Sequence, residues 1–413
     1  MWQIRHRAGS LAALGSYVEL PPDISEGIAR HGDEYQFSLT PYLLKTLVNS
    51  DGTIDLDDPF TYLFFPPFEP FNVRADVYEA TKKINWEMES EICVPGSQLW
   101  QWKYTDRICY RSKGCMSICT YCFQAHRTVD RNTIRTAVKG DWELGMDWLR
   151  EHPQIREFLF SGGDPLMQTD DRLEEMLADV RSIPHIETIR FNSAFFMHSP
   201  MRITPRLVEL FKRYNVTEIG VHVVHPRQFT EEAIESIHRL DETGVLRLVQ
   251  IPLMRGVNDN LETLKKLLEI SEQHKLKGYY LTHGMPWTIS ADRFRTPVHT
   301  GVKLLSALKR HLSNVAFPEY VIVARGGKMQ VPLERSTLYI NREDIENALV
   351  WTLEDTQIQL TTVLQDALVP GDSGFYKVQG TPEFIYTTYK EIPIVVFKGW
   401  KGWEVYMDDL DSD

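Results

Sequence analysis

Between residues 107 and 284 the chain alternates short β-rich runs with segments of helical period, and this rhythm narrows the possible folds most. The runs are RICYRSKG (107–114), EFLFSGG (157–163), ETIRFNS (187–193), EIGVHVVHP (218–226), LRLVQIPLM (246–254) and KGYYLTHG (277–284). Between them lie GDWELGMDWLREH, DRLEEMLADVRS, TPRLVELFKRY, TEEAIESIHRLDETG and NLETLKKLLEISEQH, with apolar residues three and four apart. Thr204-Pro205 and Thr230-Glu231 read as helix starts, an N-cap followed by proline or acid in the first turn. Gly244 suits a helix stop. One strand and one helix in roughly thirty residues, repeated, spells βαβ units and a parallel sheet. Six such units predict an α/β fold, an open or partial (β/α)6 barrel with function at the C-terminal ends of its strands.

The flanks differ from this middle. Residues 1–105 are rich in proline and aromatics with helical pieces, and are expected to wrap the barrel as an N-terminal region. Residues 106–330 form the barrel itself. Residues 331–413 contain β-type runs (STLYI, FIYTTY, IPIVVFKGW) and are expected to cover the active site or build an oligomer interface. A formal net charge of −12 argues against nucleic acid as a partner. No run approaches the twenty or so apolar residues of a membrane span, and the basic start MWQIRHRAGS lacks the apolar core of a signal peptide. Five cysteines, three of them crowded together, do not make a disulfide framework, so a reducing cytoplasm is the expected location.

Those three are Cys115, Cys119 and Cys122, spaced C-x3-C-x2-C in RSKGCMSICTYCFQ. Three thiolates can hold three irons of a [4Fe–4S] cluster and leave the fourth iron open, whereas an electron-transfer cluster ordinarily takes four protein ligands. An open iron can chelate a small molecule, and S-adenosylmethionine bound through its amino and carboxylate groups is the known case. The competing reading is a Cys3His zinc site completed by His126. Cys93 and Cys109 are expected to be buried free thiols rather than ligands.

The cysteine motif, SGGDPL (161–166), HVVHP (222–226), LMRGVND (253–259), RFRTPV (293–298) and GGK (326–328) follow one another in a set order. In that order the chain resembles the lysine 2,3-aminomutases, radical S-adenosylmethionine (SAM) enzymes that also use pyridoxal phosphate. The resemblance covers roughly residues 1–335 and implies a barrel of the radical SAM type. By it, Gly162, Gly163 and Asp164 hold the methionine end of SAM, beside the plain reading of a strand-to-helix turn. His222 and Gln250 match positions facing the cofactors. A metal pair of His222 with His225 is disfavoured, because residues three apart on a strand point to opposite faces. Arg255–Asp259 reads as a turn after the fifth strand, open to a structural or a cofactor role. Lys328 matches the family's Schiff-base lysine, although a lysine in a Gly-rich turn is ordinarily a solvated charge. Tyr104 and Arg107 match the Y-x-D-R segment whose Tyr and Arg hold the pyridoxal phosphate group. Arginine suits that task, since its planar fork grips phosphate oxygens in pairs. The alternative for Arg107 is a surface ion pair near Asp106.

Where the substrate binds, the chain departs from the lysine enzymes. An arginine two positions after the last cysteine pairs with the substrate carboxylate in the family; here that position is Gln124, and the nearest arginine is Arg127. The family's two aspartates for the distal ammonium fall near LTHGMPW (281–287) and VIVARGG (321–327), neither of which carries an acid. Asp292 is a displaced substitute or a solvated charge, and Arg325 could meet an anionic group. Ser193-Ala194 replaces a serine–arginine pair, and no cysteine follows Cys122 to build the zinc site of some relatives. A buried ammonium without a carboxylate is costly.

The resemblance therefore implies an isomerase that moves the amino group of an amino acid other than lysine from Cα to Cβ by way of a 5′-deoxyadenosyl radical. Two other outcomes stay open: radical elimination, epimerisation or rearrangement of a modified amino acid, and a non-catalytic, zinc-stabilised α/β binding protein. The expected partners are an amino acid, an electron donor such as flavodoxin or ferredoxin, and further copies of the chain in a homo-oligomer.

Overall fold

Alternation along each strand sorts the side chains of the central sheet into an outer face under helices and an inner face around a lumen. The computed structural model describes residues 2–31, 37–65, 93–97, 99–112, 114–122, 124, 140–284, 288, 290–324, 327–334, 336–351, 357–365, 368–370, 374–389, 392–399 and 402–407. Strands β1 (Trp100–Tyr104), β2 (Arg107–Ser112), β3 (Glu157–Gly162), β4 (Thr188–Ser193), β5 (Glu218–His222), β6 (Leu246–Pro252), β7 (Lys277–Thr282), β8 (Glu319–Ala324) and β9 (Gly327–Gln330) form one nine-stranded sheet in chain order. From β2 to β8 every neighbouring pair is parallel. The edge strands β1 and β9 are antiparallel to their neighbours. The sheet curls into a half-barrel of the radical SAM type.

All six runs expected to be strands are strands, with their ends trimmed where the loops begin. EYVIVA adds a seventh parallel strand, β8. One expectation is corrected: Lys328 lies on β9, paired in register with Val323, rather than in a turn.

Outward residues Ile108, Tyr110, Phe158, Phe160, Ile189 and Phe191 share one core with Trp142, Leu173, Leu177, Leu207 and Phe211 from the covering helices. Each such side chain contributes about 1.5–3 kcal/mol on full burial. Thr204 and Thr230 do cap their helices, accepting from the amides of Leu207 and Ala233. Gly244 does not stop the helix Glu231–His238; it closes the short 3-10 turn Asp241–Thr243 that follows.

A second core joins the N-terminal segment to the rim of the barrel. Leu14, Ile24, Leu39, Leu43, Phe60 and Phe64 pack with Val224, Met254, Val257 and Phe294 from the loops after the strands. Asn258 pins the same rim: it is fully buried, and its Nδ2 donates to the carbonyls of Val224 (2.8 Å) and Pro252 (2.9 Å). Within Arg255–Asp259 that is a structural role.

Beyond the half-barrel, β10 (Ser336–Asn341), β11 (Leu349–Trp351), β12 (Gln357–Gln359), β13 (Val369–Pro370), β14 (Phe375–Thr381), β15 (Phe384–Tyr389), β16 (Ile392–Gly399) and β17 (Gly402–Met407) make an eight-stranded sheet. Phe384, Tyr386, Val395 and Phe397 on one face join the barrel core. Ile385, Ile394 and Val396 on the other belong to a separate core. Among the described residues no helix is long and apolar enough to cross a membrane.

Candidate active site

The cysteine loop leaves β2 and is held on both sides. Ile118 N–H donates to Ser38 O (2.8 Å) and Thr120 N–H to Leu63 O (2.9 Å) on the N-terminal side. Thr120 Oγ1 donates to Tyr62 O (2.8 Å) and accepts from Ser290 Oγ (3.0 Å). Burial pushes the thiols of Cys115 and Cys119 up, Cys119 to about 12, and the charge of Cys122 pushes both further. Three thiols that sense one another in this way fit a donor set whose proton cost would be met by a multiply charged metal group. Among the described residues no three His, Cys, Asp or Glu side chains converge on a single ion. His126 lies outside the described residues. None of the five cysteines is in a disulfide, and Cys93 and Cys109, expected to be buried, are half-buried.

The SGGD run after β3 locks this loop in place. Gly162 has φ +94°, and a Cβ there would sit 2.6 Å from Arg111 Cα. A Cβ on Gly163 would come within 2.3 Å of Gly114 O, so only glycine lets the turn lie against the loop. Gly163 N–H donates to Ser112 O and Asp164 N–H to Gly114 O. The Asp164 carboxylate is buried and accepts from Leu166 N–H, Ala194 N–H and Ser193 Oγ. Burial nevertheless pushes its carboxyl up to about 7. Asp164 thus ties the turn after β3 to the end of β4, next to the cysteines.

Lys328 reaches into the lumen from β9. Its amide donates to the hydroxyl of Tyr104 at 3.1 Å, across 224 residues, and so joins the two edges of the sheet. Its ammonium lies 4.0 Å from the ring centroid of Tyr280 and 5.7 Å from that of Tyr279. Two adjacent residues of a strand ordinarily face opposite ways. Here an irregularity in the β6–β7 register turns both tyrosines inward, and their rings stand 3.7 Å apart. Arg107 stacks on Tyr104 with 4.9 Å from guanidinium to ring centroid. His222, Gln250 and Tyr280 are neighbours in register on β5, β6 and β7. Nε2 of His222 is buried and makes no hydrogen bond, and burial with the nearby Lys328 charge holds the pKa down to about 4. His225 lies outside this group and caps a short helix, Nδ1 accepting from Arg227 N–H.

At the other end of the lumen the charges are paired. Arg190 meets Glu157 (3.0 Å), Glu218 (2.6 Å) and the Tyr279 hydroxyl (2.8 Å). Arg107 meets Asp106 (3.0 Å) and Glu157 (3.7 Å), so the ion pair considered for it exists alongside its stacking on Tyr104.

Of the candidate substrate residues, Gln124 is buried and its Oε1 accepts from Arg111 Nη1 at 3.2 Å. Arg127, Arg325 and the side chain of Asp292 lie outside the described residues. Sequence reasoning missed Arg111, Tyr279, Tyr280 and His198. His198 is buried, its Nδ1 makes no hydrogen bond, and its ring packs edge-on against Phe64 at 5.2 Å. Burial, and secondarily His222, holds its pKa down to about 3. A lone histidine in the apolar stretch SAFFMHSP was the one available signal.

The sequence profile of the radical SAM superfamily matches residues 110–268. L-lysine 2,3-aminomutase of Clostridium subterminale is 29% identical over 334 residues, 80% of this chain and 77% of the relative. A putative L-lysine 2,3-aminomutase of Aquifex aeolicus is 31% identical over 334 residues, 80% of this chain and 86% of the relative. Glutamate 2,3-aminomutase of Clostridioides difficile is 26% identical over 333 residues, 80% of this chain and 75% of the relative. A family of isomerases that carry a [4Fe–4S] cluster and SAM replaces the reading as a zinc-stabilised binding protein. On its cysteine loop, its curled parallel sheet and these likenesses, the chain belongs to the lysine 2,3-aminomutase family of radical SAM aminomutases.

Proposed function

We propose that the chain is a pyridoxal phosphate-dependent radical SAM 2,3-aminomutase that moves the amino group of an amino acid other than lysine from Cα to Cβ. The observation that carries this reading is the hydrogen bond from the Lys328 backbone amide to the Tyr104 hydroxyl (3.1 Å), which brings together two residues, 224 apart, that match the family's pyridoxal phosphate positions. When bound, pyridoxal phosphate supplies a conjugated system able to delocalise an unpaired electron beside the migrating nitrogen, and the cluster with SAM supplies one-electron and hydrogen-abstraction chemistry.

The residues have separate tasks in this reading. Cys115, Cys119 and Cys122 ligate the cluster, and Gly162, Gly163 and Asp164 shape the adjoining wall for SAM. Lys328 presents its amine over the face of Tyr280, which orients it by cation–π attraction. Tyr104 and Arg107 receive the phosphate group. His222 and Gln250 border the same space, and the neutral imidazole of His222 offers a hydrogen bond without adding charge. The N-terminal core over the rim excludes water from reactive species.

Lysine is disfavoured by the ends of β7 and β8. His283 occupies the first, buried, with Nδ1 bonded to Tyr320 Oη at 2.8 Å, and burial holds it neutral. Thr282, His283, Val321 and Val323 offer a distal ammonium no carboxylate, and leaving one unpaired there is expensive. A relative named for glutamate supports a substrate other than lysine within this family. We assign electron delivery to a flavodoxin or ferredoxin, and residues 331–413 to covering the site or joining subunits.

The test is an anaerobic assay of protein with reconstituted cluster, reductant, SAM and pyridoxal phosphate against pools of amino acids. Formation of deoxyadenosine and a β-amino acid is expected for one non-lysine substrate. A deaminated or inverted product, or activity on lysine alone, refutes the assignment.

A further inference from the structure

Four cationic side chains project from the described part of the inner face of the half-barrel. Arg107 and Arg190 stand at the N-terminal ends of the strands and are matched by Glu157 and Glu218. Lys328 lies over the tyrosine rings. The fourth is Arg111, the residue before the last of β2, where the cysteine loop begins. Its neighbours Ile108 and Tyr110 belong to the outer core, so strand alternation turns Arg111 inward.

The local structure fixes it there. Arg111 is 5% exposed, and the missing Cβ of Gly162 lets the β3 turn press against its backbone. Its Nη1 donates to Oε1 of Gln124 at 3.2 Å, and Gln124, also buried, lies two residues past the last cysteine. The bond to Gln124 fixes the direction of the guanidinium fork. Burial lowers the Arg111 pKa to about 10, and it remains a cation at neutral pH.

Every α-amino acid brings a carboxylate, and in a lumen shielded from water that charge needs a cation with paired donors. We infer that Arg111, held by Gln124, anchors the α-carboxylate of the substrate beside the cluster loop. This rests on the reading above that an amino acid occupies the lumen. SAM also carries a carboxylate, and the experiment separates the two sources.

The variants are Arg111→Gln and Arg111→Lys, each compared with the unaltered protein in the anaerobic, reconstituted state. Deoxyadenosine formation is measured against an equimolar mixture of the twenty protein amino acids and against the matched mixture of their α-carboxamides. The unaltered protein should respond to the acids and not to the amides. Arg111→Gln should raise the half-saturating concentration about a hundredfold, and Arg111→Lys, which keeps charge but loses the fork, about tenfold. Iron content and the change SAM induces in the cluster EPR spectrum should stay as in the unaltered protein. Half-saturation within threefold in either variant overturns the inference. So does loss of the SAM-induced EPR change, which would assign Arg111 to the carboxylate of SAM. If Arg111→Gln fails to hold the cluster, Arg111→Lys decides by the same thresholds. An unaltered protein silent towards both mixtures, with its cluster and SAM signal intact, refutes the amino-acid reading itself and this inference with it.

Discussion

The two ends of the lumen follow opposite rules. At the N-terminal ends of the strands, Arg190 pairs with Glu157 and Glu218 and donates to Tyr279, and Arg107 completes the set with Glu157 and Asp106. At the C-terminal ends, His222 Nε2 and His198 Nδ1 are buried without a hydrogen bond. Each buried polar group left so costs about 1–3 kcal/mol. A chain able to match its charges at one end keeps open donors and acceptors at the other. The lower end is tied across strands by ion pairs, and the upper end carries imidazole nitrogens that no protein group meets.

The sharpest contrast comes from removing Lys328, which belongs to the open end. Lys328→Ala should cut turnover by at least about ten-thousandfold, over ~5 kcal/mol of barrier, with iron and sulfide content unchanged. Full turnover in this variant would remove pyridoxal phosphate from the account. At the closed end, Arg190→Met should act the other way round. It leaves Glu218 without its cation and Glu157 with Arg107 alone, at a cost of about 3–5 kcal/mol, read as a lower apparent melting temperature. Turnover per cluster-loaded molecule should stay within a few-fold. Unchanged melting with lost turnover would move Arg190 into the catalytic machinery and dissolve the contrast.

Legibility in the sequence divides along similar lines. Strands β2 to β7 announce themselves because each is an apolar run between helical periods, and Thr204-Pro205 and Thr230-Glu231 mark helix starts by local chemistry. The edges β1 and β9 do not, since WQWKY and GKMQ are short and carry polar or charged residues on strands paired along one side only. Side-chain direction is readable while period two holds. It fails at Tyr279 and Tyr280, which share a face only because the register slips. The meeting of Tyr104 with Lys328 depends on the curl of the whole sheet, which no local pattern encodes. Arg111 escaped notice for a related reason, as its value lies in its place beside Gln124.

The open end should also betray itself by pH. Burial holds the folded pKa values of His222 and His198 at about 4 and about 3, below the ordinary 6.5. A depressed histidine stabilises the fold above its unfolded pKa, and that stability is lost as pH falls from 6.5 through the folded values. The loss is roughly 3–5 kcal/mol per histidine. Lys328 bears on His222, and His222 on His198, so protonating either imidazole gathers like charges. His198→Phe should therefore shift the acid-unfolding midpoint to lower pH, followed by circular dichroism, while stability at pH 7.5 changes little. An unmoved midpoint would mean that His198 is not protonated on unfolding.

The smallest effect belongs to the seam between the two ends. Tyr104→Phe keeps the ring on which Arg107 stacks but removes the oxygen that accepts the Lys328 amide. A partly buried N–H then loses its partner, at a cost of about 1 kcal/mol. If the seam only staples the edges of the sheet, the melting temperature falls and the half-saturating pyridoxal phosphate concentration is unchanged. If Tyr104 also receives the phosphate group, half-saturation rises about fivefold to tenfold, because the hydroxyl serves ligand and backbone together. The proposed function requires the second result. Titration of the apo-protein by absorbance, with no turnover needed, distinguishes them.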